Sequence, residues 1–264
     1  MMNKYRIYNG MWIYKFAPHT EQQLSSAQTQ QLLRTGGWAV RNAYHFDCPA
    51  GSPTNFWYVI KDQFGDIAEL PTKTRNQVRR ALRTYDYKII DKQFMLDHGY
   101  DIYKKASESY SVAATPPTLE AYRQRILSST DEDEFWGAID KESHNLVAIA
   151  INHTSEETCD YRALKAYPED VKNYVYYGLI FTMNEYYLKT KRYKYVCDGA
   201  RSATNHSNIQ PFLIEKFNFR KAFCDMRITY KWWLHGIIIL LLPLYSIMPS
   251  GKIKTLLTLH KMQN

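Results

Sequence analysis

Residues 193–221, YKYVCDGARSATNHSNIQPFLIEKFNFRK, restrict the fold more than any other part of the 264-residue chain. The first six alternate aromatic or β-branched with polar side chains, the period-two pattern of a half-buried strand, and stop at the turn pair Asp198-Gly199. After a polar loop, Asn208 opens a run with apolar residues at Ile209, Phe212, Leu213, Phe217 and Phe219, one helical stripe that Asn218 in a cap position would close. The order is strand, polar loop, helix, then a second strand from 219 to about 230.

Upstream, residues 1–70 read as an extension of short strands and loops around one helix, 22–33, ended by Thr35-Gly36-Gly37. Residues 38–46 and 55–61 are expected as two strands joined by a loop with two prolines and a glycine, and Tyr44, His45 and Trp57 as packing residues. A helix over 73–83 sets Arg75, Arg79 and Arg83 four apart in one guanidinium stripe, with Val78 and Leu82 toward the core. Such a stripe repels itself unless an anion or acidic neighbour covers it; a solvated basic face is the alternative. From Tyr87 on, the pattern predicts a strand, two helices (94–110 and 119–128, the second capped by Thr118) and three antiparallel strands (134–140, 146–154, 158–165). A long helix from Pro168 or Val171 to Lys189 leads into the elements above. The fold class is α+β in α/β/α layers: a mixed, mostly antiparallel twisted sheet flanked by helices.

A formal net charge of +8 and a pI near 9.1 suit an anionic partner such as a phosphorylated donor, nucleic acid, acidic glycan or membrane surface. The four cysteines show no metal-ligand spacing and no apolar signal run opens the chain, so a cytoplasmic protein without a metal is expected. Residues 232–264 form an apolar and basic tail. Residues 232–248 are apolar except for His235 and Ser246, Pro243 interrupts them, and no acidic residue follows Asp225. As a helix, 17 residues span about 25 Å against a hydrocarbon core of about 30 Å, so the tail is expected to lie in an anionic membrane interface, or to dock on protein, rather than cross.

The order from 87 to 230, with Phe212-Leu213-Ile214-Glu215-Lys216-Phe217-Asn218-Phe219 at its centre, resembles the Gcn5-related N-acetyltransferase (GNAT) superfamily, in which a helix ends in a leucine-tyrosine-glutamate-lysine-x-glycine-phenylalanine pattern. Glu215, Lys216 and Phe219 match; Ile214 stands for the tyrosine and Asn218 for the glycine. The resemblance assigns 71–231 to a GNAT-like domain in which two neighbouring parallel strands, 158–165 and 193–198, diverge and leave backbone donors for an oxyanion. It also implies a coenzyme A pyrophosphate loop before the long helix, with Lys172 in its first position, but Val175 and Tyr177 occupy its glycine positions. The helix carrying Lys73, Arg75, Val78 and Ala81 resembles the Fem-type transferases that build peptidoglycan cross-bridges, which use aminoacyl-tRNA and carry two such domains; this chain is too short for both in full.

These resemblances imply an acyltransferase acting on an amine or hydroxyl of a small-molecule, glycan or cell-envelope acceptor, with acyl-CoA (acetyl-CoA) or aminoacyl-tRNA as donor; the expected location is the cytoplasm, or, through residues 232–264, the inner face of the cell membrane. A catalytically degenerate scaffold is the alternative. The general base is sought among Glu157, Asp160, Asp198, Ser202 and His206, and donor or substrate contacts among Arg75, Arg79, Lys172, Arg201 and Asn208.

Overall fold

The computed structural model describes residues 2–49, 55–109, 116–203, 208–249 and 251–263. In chain order the strands and helices are β1 (Tyr5–Tyr8), β2 (Met11–Tyr14), α1 (Ser26–Thr35), β3 (Ala39–Cys48), β4 (Trp57–Lys61), α2 (Thr72–Thr84), β5 (Tyr85–Ile90), α3 (Lys92–Glu108) and α4 (Leu119–Leu127). They continue as β6 (Asp133–Asp140), β7 (Leu146–Thr154), β8 (Thr158–Ala166), α5 (Pro168–Lys172), α6 (Val175–Asn184), β9 (Tyr195–Ala200), α7 (Ile209–Phe217), β10 (Arg220–Tyr230), α8 (Trp232–Leu241) and α9 (Lys252–Lys261). The chain divides into two compact units, one of Met1–Val59, Ala200–Asn205 and Lys221–Asn264, the other of Ile60–Gly199 and His206–Arg220.

In the first unit the strand order is β1-β2-β3-β10-β4. β1 and β2 form a hairpin whose Asn9 and Gly10 both have positive φ (49° and 77°), as a two-residue turn of matching twist requires. β2 runs parallel to β3, and β3 antiparallel to β10, so the two strands expected from 38 to 61 are not neighbours: β10 lies between them. Leu32 and Leu33 of α1 pack on Tyr5, Trp12 and Val40. The helix starts at Ser26, four residues later than its apolar pattern suggests. Asn42 explains the delay, because its side chain accepts from the Leu24 amide (2.8 Å) and donates to the Gln22 carbonyl (2.9 Å), tying 22–24 to β3 outside any helix. Ser25 and Gln28 then close a capping box.

In the second unit β5, β6, β7 and β8 pair antiparallel and β8 pairs parallel with β9. Alternation along the strands separates two cores. Phe135, Ile149 and Ile151 meet Met95 and Ile102 of α3 and Tyr122 and Ile126 of α4. On the opposite face Trp136 and Tyr161 meet Tyr187, beyond the end of α6. α6 crosses β5 at Gly178, where an added Cβ would lie 2.3 Å from the Tyr87 ring, itself held by its hydroxyl donating to the Val175 carbonyl (3.1 Å). Gly178→Ala is therefore expected to destabilise the unit by about 2 kcal/mol, read as a lower urea midpoint at unchanged slope.

Candidate functional site

The β8–β9 ladder is short. Thr158, Cys159 and Asp160 pair with Tyr195, Val196 and Cys197, and the pairing of the two strands stops there although β8 continues to Ala166 and β9 to Ala200. A β-bulge sits just beyond. Opposite β7, Asn152 pairs with Tyr161 and Ile151 with Ala163, so Arg162 is the extra residue. A bulge bends and twists its strand. Here it also changes the face that β8 presents: Tyr161 reaches Asn184 of α6 (2.8 Å), whereas Ala163 packs with the α3 cluster. Arg162 is drawn to Asp133 (3.1 Å), which also holds His153 (2.8 Å). Burial alone would raise the Asp133 carboxyl, but bonds from His153 and the Thr130 amide, with Arg162 close by, keep it below the ordinary range. The two strands thus part after Asp160 and Cys197, with the bulge at the parting.

Asp198 stands at the open end. It is partly exposed, yet burial of its carboxyl pushes its pKa up to about 7, against a smaller opposing effect of a hydrogen bond with Gln210 of α7. The next residue, Gly199, has φ +88°, and among the described residues nothing lies within 4 Å of where a Cβ would be. A carboxyl titrating near neutrality beside open space can accept a proton from an incoming nucleophile. Cys197, one residue earlier, is buried, and burial raises its thiol far above the usual range, so it stays protonated.

The remaining sequence candidates fall elsewhere. Glu157 pairs with Lys194 (2.5 Å) at the closed end of the two strands, where its carbonyl also accepts from the Lys194 amide. Asp160 is the last residue of β8 that pairs with β9. Arg201 and Ser202 belong to the first unit; the Arg201 guanidinium lies 4.1 Å from the centre of the Trp57 ring, with Lys221 4.3 Å from the same ring. Trp57, expected as packing alone, thus carries two cations. Lys172 ends α5, and Asn208 precedes α7 without a side-chain cap bond. Arg75 donates to Thr72 (2.8 Å), while Arg79 is exposed and has no ion pair among the described residues. The buried stripe of α2 is Thr74, Val78 and Ala81, with Leu82 at its margin. His206 lies outside the described residues. Gln210 and Tyr161, which flank Asp198 chemically, carry no sequence signal beyond ordinary helix and strand positions.

The pyrophosphate loop of the GNAT resemblance corresponds to the start of α6. Tyr174 takes a left-handed conformation there (φ 67°), and Val175 is fully buried. Tyr177 packs edge-on against Phe212 of α7 (5.0 Å) and Tyr174 (5.6 Å). Glu169 and Asp170 lie just upstream, Asp170 accepting from the Tyr85 hydroxyl (2.7 Å). A diphosphate needs bare amides and meets rings and carboxylates instead; these residues do not fit the coenzyme A pyrophosphate.

No family model matches the chain, and no curated protein sequence is similar to it. Solved structures are similar. FemX aligns with a TM-score of 0.54 over 86% of this chain and 73% of its own, at 10% identity. The C-terminal domain of a protein named as a lysylphosphatidylglycerol synthetase, from Agrobacterium fabrum, aligns with a TM-score of 0.52 over 89% and 82%, at 9% identity. A tandem GNAT protein from the clavulanic acid biosynthesis pathway gives a looser likeness, TM-score 0.44 over 77% and 67% at 9% identity. At such identities the likeness is one of fold, and the chain has a GNAT-like fold of mixed, mostly antiparallel strands and flanking helices, with a resemblance to the Fem type.

Proposed function

We propose that this protein is an aminoacyl- or acyltransferase that moves an acyl group from an activated ester to an amine or hydroxyl of a cell-envelope or glycan precursor, at the inner face of the membrane. The observation that carries the proposal is the parting of β8 and β9 after Asp160 and Cys197 with Asp198 at the mouth. An acyl acceptor docked there loses its proton to the Asp198 carboxylate as its nitrogen or oxygen attacks the ester carbonyl. Main-chain donors on the parted strands stabilise the oxyanion. As it collapses the C–O bond of the ester breaks and the Asp198 carboxyl returns its proton to the departing oxygen, which leaves as the alcohol of the donor. The aromatic cover over the start of α6 favours an ester donor of the aminoacyl-tRNA kind over an acyl-CoA. The net charge of +8 suits a polyanionic donor.

Titrating the protein with charged tRNA and with acetyl-coenzyme A separates the alternatives. Saturable binding of the charged tRNA alone is expected; binding of acetyl-coenzyme A alone overturns the donor assignment, and binding of neither leaves a scaffold.

A further inference from the structure

Apolar surface collects on the tail. α8 buries only Leu234 and Ile238, one turn apart, and leaves Trp232, Trp233, Ile237, Ile239 and Leu240 exposed. Trp232 is 86% exposed, Leu240 75%, and Ile247, in the turn that follows, 78%. Isolated apolar residues on a surface are ordinary, but a contiguous apolar helix face is not, because water around it is displaced by any apolar partner.

Charge identifies the partner. After Asp225 the chain has five basic residues and no acidic one. Lys231 immediately precedes the apolar face, and Lys252, Lys254 and Lys261 lie on α9 beyond it. Lys254 is fixed by donating to the Met248 carbonyl (2.7 Å), and the ammonium groups of Lys254 and Lys261 lie 5.6 and 4.2 Å from the centre of the Tyr245 ring. Cations thus sit at both ends of an apolar strip that begins with two tryptophans, which combine an apolar body with a polar edge. A second copy of this chain would have to bring the same positive charges against these. A bilayer of anionic phospholipid offers apolar depth and negative headgroups together. No helix among the described residues is long and apolar enough to cross a membrane, and α8, about 15 Å long at 1.5 Å per residue, fits within one leaflet's interface.

We infer that α8 and the turn after it lie in the plane of an anionic phospholipid surface, with Trp232, Leu240 and Ile247 in the acyl boundary and Lys231 and Lys252 among the headgroups. This holds whether or not the transferase assignment does.

Cosedimentation of the full chain with vesicles of phosphatidylcholine, and of phosphatidylcholine with added phosphatidylglycerol, provides the test. The wild-type chain is expected to bind the anionic vesicles about tenfold or more tightly, and less tightly as salt is raised. Trp232→Ser/Leu240→Ser/Ile247→Ser changes only exposed side chains and should abolish binding without altering the circular dichroism. Lys231→Gln/Lys252→Gln should remove the preference for phosphatidylglycerol and leave any weak binding to phosphatidylcholine. Absence of wild-type binding, or equal binding by the triple-serine chain, overturns the inference. So does a vesicle-free dimer, seen by sedimentation equilibrium, that the triple-serine substitutions dissolve, since the face would then belong to a second copy.

Discussion

Asp198→Asn is expected to lower kcat by about 10²- to 10⁴-fold and, at the same time, to make the folded chain more stable at pH 8. Both follow from one fact: burial has moved this carboxyl up to about 7. As a base it is then half ionised near neutrality, so kcat/KM for the wild-type chain should climb with pH and level off above about 7. As a group in the fold its linkage has a definite sign. The folded pKa lies above the ordinary 3.8, so between about 4 and 7 the native state binds more protons than the unfolded state, and stability falls as pH rises through that window. Above it the fold carries a poorly solvated carboxylate at full cost. The amide of asparagine has no charge to desolvate. The gain at pH 8 should be about 2 kcal/mol, half the full linkage value because the side chain is partly exposed, and should vanish below pH 4. Urea unfolding at both pH values, beside steady-state rates, measures the two effects. An unchanged kcat would remove Asp198 from the chemistry, and a loss of stability at pH 8 on Asp198→Asn would show that the carboxylate is well solvated after all.

The strand carrying that carboxyl was readable from alternation at 193–198, and the left-handed cap of α7 at Asn218 (φ 56°) from the end of its apolar stripe. Local patterns of this sort depend on neighbours a few residues apart. The parting of the strands does not. It coincides with a bulge at Arg162, and nothing in TCDYRALKA marks its fifth residue as the one β7 passes over. A register change is decided between strands, where the side chain of Arg162 meets a carboxylate on β6 and Tyr161 meets an asparagine on α6. For the same reason the insertion of β10 between β3 and β4 escaped a sequence in which the latter two are adjacent and each looks strand-like.

The long helix expected from Pro168 or Val171 to Lys189 is three pieces. α5 stops at Lys172, Tyr174 turns left-handed, α6 runs to Asn184, and a π-helical turn occupies Glu185–Thr190. The first piece buries no residue, α6 is buried along most of its length, and the π-helical turn buries Tyr187. The interruptions come from tertiary partners: the Tyr87 hydroxyl holds the Val175 carbonyl, and the π-helical turn contains Tyr187, whose hydroxyl has partners on both β6 and β7. Widened turns of that kind commonly accommodate a side chain whose position matters more than the regularity of the helix.

Tyr187→Phe tests how much rests on that position. The ring is fully buried and stacks on Tyr193 (5.8 Å), and phenylalanine keeps both the volume and the stacking. What goes is one oxygen. It accepts from Trp136 Nε1 (2.9 Å) and Asn152 Nδ2 (3.2 Å) and donates to Glu134 Oε2 (2.7 Å). Asn152 has little to fall back on: its Nδ2 keeps only the Met183 sulfur at 3.2 Å, and its Oδ1 is already buried without a hydrogen-bond partner among the described residues. Removing the hydroxyl therefore strands an indole N–H and costs the side chain of Asn152 its better acceptor, an expected loss of about 3 kcal/mol in urea unfolding. If these groups act as one network, Trp136→Phe should cost clearly less in the Tyr187→Phe background than in the wild type, since the acceptor it would forfeit is already gone. Two additive losses, or a Tyr187→Phe cost under about 1 kcal/mol, would mean that water or local rearrangement satisfies the donors. The consequence reaches β8, because Cys159 lies beside the Tyr187 hydroxyl and is one of the three residues that pair with β9. A chain without that hydroxyl should exchange its Cys159 and Asp160 amides faster in hydrogen–deuterium exchange, loosening the ladder at the end that determines where the strands part.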